Sequence, residues 1–268
     1  MRVRITLKVN NRGGLVPFHH QFLVAQLLKG LIIEGKNQEF INYTFYSFSG
    51  LKGQTRVSRN GLQYTSSLVT LVVASVNIDF LKYIVDLIFS QNQIKIGELS
   101  LTPDTTDEEV MMNLDEKVKY VCISPIVPLQ PTFNSEEGKR FIEPESNEFS
   151  DALFDYTVTR MESFGIKTSS IASLEKFQVI PDKSYIDRIR TTNKKFSRIY
   201  SVFDQDVQYE VRGYTFPFTL FAAPEVQDFL FTCGLGLYGN KGHGMLDVAN
   251  ADPLERTVSL NDRSLISA

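Results

Sequence analysis

The order of strand-like and helix-like segments in the first hundred residues limits most strongly which folds this chain can adopt. Val3–Val9 alternates charged and apolar side chains, which is the period-two pattern of a half-buried strand. Residues 18–35 and 77–91 instead repeat apolar side chains at helical spacing. Further extended segments occupy 41–50, 54–76 and 94–102. The resulting order, β-α-β-β-α-β, predicts a ferredoxin-like domain.

The second half of the sequence repeats this scheme. A strand-like segment at 118–129 precedes a helical segment at 147–165, which Gly165 ends. Three extended stretches fill 171–221. A short helix at 223–231 then leads, through a glycine-rich run, to a last strand at 245–250. The repetition predicts a second ferredoxin-like domain.

Domain boundaries follow from these segments. The chain has 268 residues, enough for two domains of about 120–130 residues each. The predicted architecture is α+β, with two tandem ferredoxin-like (βαββαβ, RRM-like) domains at 1–117 and 118–250 and a tail at 251–268. The acidic stretch at 103–117 is interpreted as the linker.

Charge is distributed unevenly, although the net charge is only −3. Residues 1–60 contain nine Lys or Arg against two Asp or Glu, and residues 160–200 contain nine against four. Residues 98–116 contain seven acids and no base. Basic regions separated by acidic connectors are typical of a surface that binds a polyanion. Chance segregation of charge on a mixed surface is the alternative.

Several classes of site and location find no support in the sequence. Cys122 and Cys233 form neither a metal-ligand spacing nor a disulfide framework, which is typical of thiols in a reducing compartment. His19 and His20 have no third ligand at metal spacing, so no metal or other cofactor is expected. The N-terminus has the pattern of a strand and not of a signal peptide, and the most apolar stretch, 66–76, is too short to span a bilayer. A cytoplasmic protein without a membrane partner is therefore expected.

A glycine-rich run, CGLGLYGNKGHGML, occupies residues 233–246. Its GxGxxG match lacks the preceding strand and the following βαβ unit of a dinucleotide site. Lys241 is followed by glycine and not by the Ser or Thr of a P-loop. Glycines permit positive φ and allow a phosphate chain to approach backbone amides, and Lys241 and His243 would add charge. The other interpretation is a tight structural loop.

The pattern Gly234-x-Gly236-x5-Gly242-x-Gly244 resembles the signature of the RAMP superfamily of RNA-binding proteins in CRISPR systems. Three further segments extend the likeness over most of residues 1–250, namely PFHHQFLVAQLLKGLI from Pro17, YTFYSFSGLKG at 43–53 and Ser-Pro-Ile at 124–126. More narrowly, the chain is similar to the CRISPR repeat-processing endoribonucleases. This resemblance implies two ferredoxin-like domains with a cleft between them. It also implies metal-independent cleavage of precursor CRISPR RNA by the 2′-OH, which leaves a 2′,3′-cyclic phosphate and a 5′-OH.

The resemblance places the active site at the start of the first helix. The family begins this helix with proline and an Asn-Tyr-like pair, and His19 and His20 occupy those two positions. Many relatives carry the catalytic histidine later, where residues 34–42 contain none. His20 or His19 is therefore the candidate for proton transfer, since an imidazole can act as acid or base at neutral pH. Lys52 is the candidate for stabilising the phosphorane, and Tyr43 for positioning the RNA.

Candidate RNA contacts lie in three places. Arg56 and Arg59 flank Asn60-Gly61, a dipeptide that predicts a tight hairpin. The basic stretch near residue 190 is interpreted as a strand, on which Arg188 and Arg190 would share one face. The complete set of predicted RNA-binding residues is Arg56, Arg59, Arg188, Arg190, Lys194, Lys195, Gly234, Gly236, Lys241, Gly242, His243 and Gly244.

Three functions are compatible with these observations. The first is a CRISPR RNA-maturing endoribonuclease whose partner is repeat RNA. The second is a catalytically weak or inactive repeat-RNA-binding subunit of an effector complex. The third is an interaction module that has lost RNA binding. Other CRISPR effector subunits and a second copy of the chain are further candidate partners.

Overall fold

The computed structural model describes residues 1–131, 136–204 and 207–259. The chain divides into two compact units. Unit 1 comprises Met1–Met111 and Asp252–Ala268, and unit 2 comprises Met112–Ala251.

Regular elements alternate along both units. The first part of unit 1 contains β1 (Arg2–Val9), β2 (Leu15–Val16), α1 (Gln21–Glu34), β3 (Tyr46–Phe48), β4 (Thr55–Val57), β5 (Leu62–Tyr64), β6 (Leu68–Ser75), α2 (Ile78–Phe89), β7 (Ile94–Ile96) and β8 (Leu99–Glu109). Unit 2 contains β9 (Lys117–Cys122), α3 (Asn147–Phe164), β10 (Gln178–Pro181), α4 (Lys183–Thr191), β11 (Ser197–Asp204), β12 (Val207–Tyr214), β13 (Phe218–Phe221), α5 (Pro224–Cys233) and β14 (Leu246–Val248). The last strand, β15 (Thr257–Ser259), belongs to unit 1.

The main sheet of unit 1 has the strand order β15-β8-β1-β6-β3, and β7 pairs with β8. Without the added strands β7 and β15, this is the antiparallel order of a ferredoxin-like domain, as predicted. A separate three-stranded sheet has the order β2-β5-β4. The Asn60-Gly61 hairpin joins β4 to β5, where the Ser58 amide donates to the Gly61 carbonyl oxygen at 2.8 Å.

Apolar side chains fix the helices of unit 1 against its sheet. Alternate β1 residues Val3, Ile5 and Leu7 are buried, which is the period-two pattern read from the sequence. The buried stripes of α1 and α2 join the same core. The α2 helix begins where the Asn77 side chain accepts a hydrogen bond from the Phe80 amide. Each fully buried aliphatic side chain contributes about 1.5–3 kcal/mol.

The predicted acidic linker at 103–117 is wrong in its first part, because residues up to Glu109 continue as β8, although the boundary between the units, after Met111, lies within it. The basic and acidic stretches of the sequence pair across β1 and β8. Glu109 accepts from Arg2 at 3.0 Å and from Arg4 at 2.5 Å, and Glu109 and Arg2 are each only 1% exposed. Lys8 pairs with Asp104 at 2.6 Å. Part of the positive charge of residues 1–60 therefore stabilises the fold and is not available to a polyanion.

Unit 2 repeats the ferredoxin-like arrangement with the strand order β10-β13-β9-β14. Its long helix α3 begins at Ser146, whose side chain accepts from the Phe149 amide, and ends at Gly165 in the left-handed conformation. Between β10 and β13 the chain inserts α4 and the two-stranded ribbon β11–β12. The prediction of three extended stretches at 171–221 therefore missed one helix.

The C-terminal segment also differs from the prediction of a tail after residue 250. Strand β15 pairs antiparallel with β8, and Thr257 lies opposite Glu109. The Val110 amide donates to the Arg256 carbonyl oxygen at 2.8 Å. These main-chain hydrogen bonds satisfy the outer edge of β8.

Candidate functional site

The start of α1 is fixed by the imidazole of His20, which is 5% exposed. His20 Nε2 accepts a hydrogen bond from the Leu51 amide at 2.9 Å. We therefore assign the ring proton to Nδ1, which lies 3.3 Å from the Pro17 carbonyl oxygen. The ring thus joins the helix start to the segment that follows β3. Gly50 completes this contact, since a Cβ there would lie 3.0 Å from His20 Nε2.

The same environment lowers the pKa of His20 below its ordinary value. Desolvation by burial is the main cause, the hydrogen bond to Pro17 opposes it, and the charge of His19 adds to it. Both ring nitrogens of His20 are engaged with main-chain groups. The catalytic role of His20 stays a prediction.

The segment fixed by His20 leads directly to Lys52. Leu51 is buried and its carbonyl oxygen accepts from the Tyr64 hydroxyl at 2.8 Å. Lys52 pairs its backbone with Thr70 and its side chain is exposed. Because Lys52 follows Leu51, its Cα lies within roughly 8 Å of His20 Nε2. The structure therefore brings the two predicted residues close together.

The other residues predicted near this site divide into surface and core. His19 is half-buried, beside His20. Arg56 and Arg59 are exposed on the β4–β5 hairpin that follows Lys52. Tyr43 instead packs into the aromatic core, with its hydroxyl 2.9 Å from Ser75 Oγ and its ring centroid 4.6 Å from that of Phe80. These contacts give Tyr43 a structural role in the core of unit 1.

The glycine-rich run forms a tight loop between α5 and β14. Gly234, Gly236, Gly242 and Gly244 all have positive φ and are buried. A Cβ at Gly244 would lie 2.1 Å from the Leu235 carbonyl oxygen, and one at Gly236 would lie 2.6 Å from that of Val127. Gly236 and Gly244 are thus required for close packing of the chain against itself. Phosphate binding by this loop stays a prediction.

His243 and Lys241 of the run have different environments. His243 is 2% exposed, and its ring packs edge-on against Tyr200 with centroids 5.7 Å apart. Lys241 is half-buried, with its Nζ 5.4 Å from the centroid of the Tyr238 ring. Lys241, at the loop tip, is the better placed of the two to meet a ligand.

The basic stretch near residue 190 lies on α4 and not on a strand. Arg188 and Arg190 therefore point about 200° apart around a helix and do not share a face. The Arg190 guanidinium forms ion pairs with Glu143 and Glu145. Arg188 lies over the Tyr185 ring at 5.5 Å. Lys194 and Lys195 follow the helix and are exposed.

Arg160 is a residue that the sequence interpretation did not single out. It extends from α3 to the carbonyl oxygens at the beginning of the glycine-rich loop. Its position on the long amphipathic helix carried no signal, because an arginine there is typical of a solvated helix face.

Residues 1–131, 136–204 and 207–259 contain neither a metal-binding cluster nor a membrane-spanning helix. There, no three His, Cys, Asp or Glu side chains form a group that could hold a metal ion. In the same residues, no helix combines the length and apolar character needed to cross a membrane.

Comparison with known proteins places these units in a family. The model of "CRISPR associated protein Cas6, C-terminal" matches residues 106–248, which is more than half of the chain. The chain belongs to the Cas6 family. The match includes the glycine-rich loop and all of unit 2 except its last three residues, 249–251. No curated protein matches the sequence at a significant level.

Solved structures show the same fold over nearly the whole Cas6-family chain. A structure from Pyrococcus furiosus, described as that of a Cas6-related gene, has a TM-score of 0.75 at 19% identity, covering 94% of this chain and 99% of its own. A CRISPR associated protein Cas6 has a TM-score of 0.74 at 16% identity, covering 93% and 99%. A protein described as a RAMP protein binding different RNA substrates has a TM-score of 0.73 at 19% identity, covering 92% and 99%. The predicted family and the fold of tandem ferredoxin-like domains are confirmed.

Proposed function

We propose that this chain binds CRISPR repeat RNA and cleaves the precursor transcript without a metal ion. Membership of the Cas6 family is the observation that carries the proposal. The exposed cations Lys52, Arg56 and Arg59 support it, because they follow one another along a surface segment of unit 1. Cations so placed suit a phosphate backbone.

The chemistry proposed is intramolecular transesterification. The 2′-oxygen attacks the adjacent phosphorus while the bond from phosphorus to the 5′-oxygen breaks. The 2′-OH proton passes to a base, and the departing 5′-oxygen takes up a proton, so that a 2′,3′-cyclic phosphate and a 5′-OH remain. A base, an acid and a cation near the phosphorane are what the protein must supply.

We assign these roles around the start of α1. His19 is the proposed proton-transfer group, because His20 already uses both ring nitrogens. Lys52 is the proposed cation at the phosphorane. His20 holds Leu51, and hence Lys52, in a fixed place relative to the helix. Tyr43 stays a weaker candidate, since its hydroxyl faces Ser75.

A second function, repeat-RNA binding without cleavage, is favoured by one observation. His20 is the histidine at the predicted catalytic position, and it is buried, neutral and hydrogen-bonded. If His19 does not transfer protons either, unit 1 has no further histidine to do so. The chain would then bind the repeat for other proteins of the system.

Single-turnover cleavage of repeat RNA in EDTA separates these functions. Wild type should produce 2′,3′-cyclic phosphate ends, and His19→Ala should slow cleavage by about 10²–10⁴-fold with little change in RNA binding. Lys52→Ala should also reduce the rate. Lys82→Ala, an exposed lysine on α2, is the matched control and should cleave like wild type.

Each contrary outcome removes a different part of the proposal. Binding without cleavage by wild type supports the second function. Full activity of both His19→Ala and Lys52→Ala refutes the proposed site while keeping the enzyme. Failure of wild type to bind repeat RNA refutes both functions.

A further inference from the structure

The guanidinium of Arg160 binds carbonyl oxygens at the end of α5 and at the start of the glycine-rich loop. Arg160 Nη1 donates to the carbonyl oxygens of Gly234 at 2.9 Å and Gly236 at 3.2 Å. Its Nη2 donates to the carbonyl oxygen of Cys233, the last residue of α5, at 2.9 Å. The guanidinium also lies over the Phe229 ring at 5.7 Å. One side chain therefore holds three of four consecutive carbonyls.

The backbone amides of Leu235 and Leu237 are hydrogen-bonded to other parts of unit 2. The Leu235 amide donates to the Gly244 carbonyl oxygen at 2.8 Å, and the Leu237 amide donates to that of Val127 at 2.9 Å. Residues 234–237 are thus fixed along both edges and are buried. In the tip that follows, Tyr238–Lys241, every residue except Gly239 is half-buried, so the tip is the part of the loop that a ligand can reach.

The charge of Arg160 is balanced by dipoles rather than by an acid. Within the described residues, no carboxylate oxygen lies within 4.0 Å of its guanidinium nitrogens. Desolvation lowers the pKa of Arg160, and an arginine stays protonated even so. The cation lies at the carbonyl end of α5, where the helix dipole favours positive charge. It therefore also adds positive potential behind the loop.

We propose that Arg160 is a positioning residue for RNA binding, which fixes residues 233–236 so that the loop tip Tyr238–Lys241 is presented to the RNA backbone. This inference rests on the proposed function. It requires the arginine fork and not only its charge, because a single lysine nitrogen cannot reach three carbonyls from the directions that two guanidinium nitrogens serve.

The test compares Arg160→Lys and Arg160→Gln with a matched control, Arg212→Lys. Arg212, also half-buried in unit 2, donates from Nε to the Lys139 carbonyl oxygen at 2.7 Å and from Nη1 to Ser197 Oγ at 3.4 Å, and to none of the loop carbonyls. The Kd for repeat RNA, the fraction of binding-competent protein and the single-turnover rate at saturating RNA are measured for each. Both Arg160 variants should bind about tenfold more weakly or worse, with an unchanged competent fraction and an unchanged saturated rate. Arg212→Lys should stay within twofold of wild type.

If Arg160 has only a structural role, its replacement should lower the binding-competent fraction and leave the Kd of the remaining protein unchanged. That result, or Kd values within twofold of wild type, overturns the inference. Hydrogen exchange of the Leu235 and Leu237 amides in RNA-free protein gives a second reading. These amides should exchange faster in Arg160→Lys than in wild type, while β9 amides stay equally protected, and unchanged loop protection also overturns the inference. If wild type does not bind repeat RNA, the proposed function fails and the exchange measurement still decides whether Arg160 fixes the loop.

Discussion

Replacing His20 tests the hydrogen bond that joins α1 to the segment carrying Lys52. His20→Ala removes the acceptor of the Leu51 amide, which is buried. Leaving a buried amide unsatisfied costs about 1–3 kcal/mol. At about 2–4 °C per kcal/mol, the Tm of unit 1 should fall by about 2–12 °C at pH 7.5. His20→Gln places a carbonyl oxygen near the position of Nε2 and should recover most of this loss.

The pH dependence of stability is a second test of the role of His20. Burial holds the pKa of folded His20 below the ordinary 6.5 of the unfolded chain. Below pH 6.5 the unfolded state therefore binds a proton that the folded state does not. The stability that neutral His20 provides is fully present above pH 6.5 and is lost as the pH falls toward the lowered pKa.

Near-UV circular dichroism melts at pH 7.5 and pH 5.5 measure both effects. Wild type should lose more Tm between these pH values than His20→Gln, which cannot titrate, and other acidic groups cancel in this difference. Equal pH dependence in the two proteins, together with an unchanged Tm for His20→Ala at pH 7.5, would refute the assigned tautomer and the positioning role.

Three further predictions concern charge and backbone packing. Arg188→Ala should lower the slope of log K against log salt concentration for repeat-RNA binding by about 0.7. Arg190→Ala should lower this slope by less, because carboxylates already pair with that guanidinium. Equal slopes for the two variants would contradict this. Gly244→Ala should destabilise unit 2 by more than about 3 kcal/mol in urea, since its Cβ would meet a carbonyl oxygen at 2.1 Å, whereas Gly165→Ala, in open space at positive φ, should cost about 1 kcal/mol. Glu109→Gln should cost unit 1 about 3–5 kcal/mol by urea unfolding, because it leaves buried guanidinium groups without their carboxylate, and a loss under 1 kcal/mol would refute the buried triad.

Most elements of the fold could be predicted from local sequence patterns. The alternation of Val3–Val9, the Asn60-Gly61 hairpin and the stop at Gly165 each reflect short-range rules, and the structure follows all three. Two tandem ferredoxin-like units could be predicted because each repeats such signals in the same order.

Elements whose identity depends on distant partners were misjudged. The acidic end of β8 has the composition of a linker, but it pairs along β1 as a strand, where its carboxylates meet Arg2, Arg4 and Lys8. The helix α4 was assigned to a strand, although Asp182 is an N-cap residue that accepts from the Tyr185 amide. That capping signal was present in the sequence and could have been used.

The closeness of the proposed site residues was predictable, but their contacts were not. The sequence placed His19, His20 and Lys52 together through the family likeness, and the structure brings His20 and Lys52 close. The sequence could not show that both ring nitrogens of His20 form hydrogen bonds with Pro17 and Leu51. These contacts join the helix start to a separate segment. Arg160 was missed for the same reason, since its acceptors lie more than seventy positions away.

The central claim is that the RNA supplies its own nucleophile. The most direct measurement uses a series of repeat RNAs, each with a 2′-deoxy substitution at a single nucleotide, incubated with wild-type protein in EDTA. Exactly one substitution should abolish cleavage while leaving Kd unchanged, and all cleaved RNAs should carry 2′,3′-cyclic phosphate ends. Cleavage of every substituted RNA, or products with 3′-hydroxyl ends, would contradict the account.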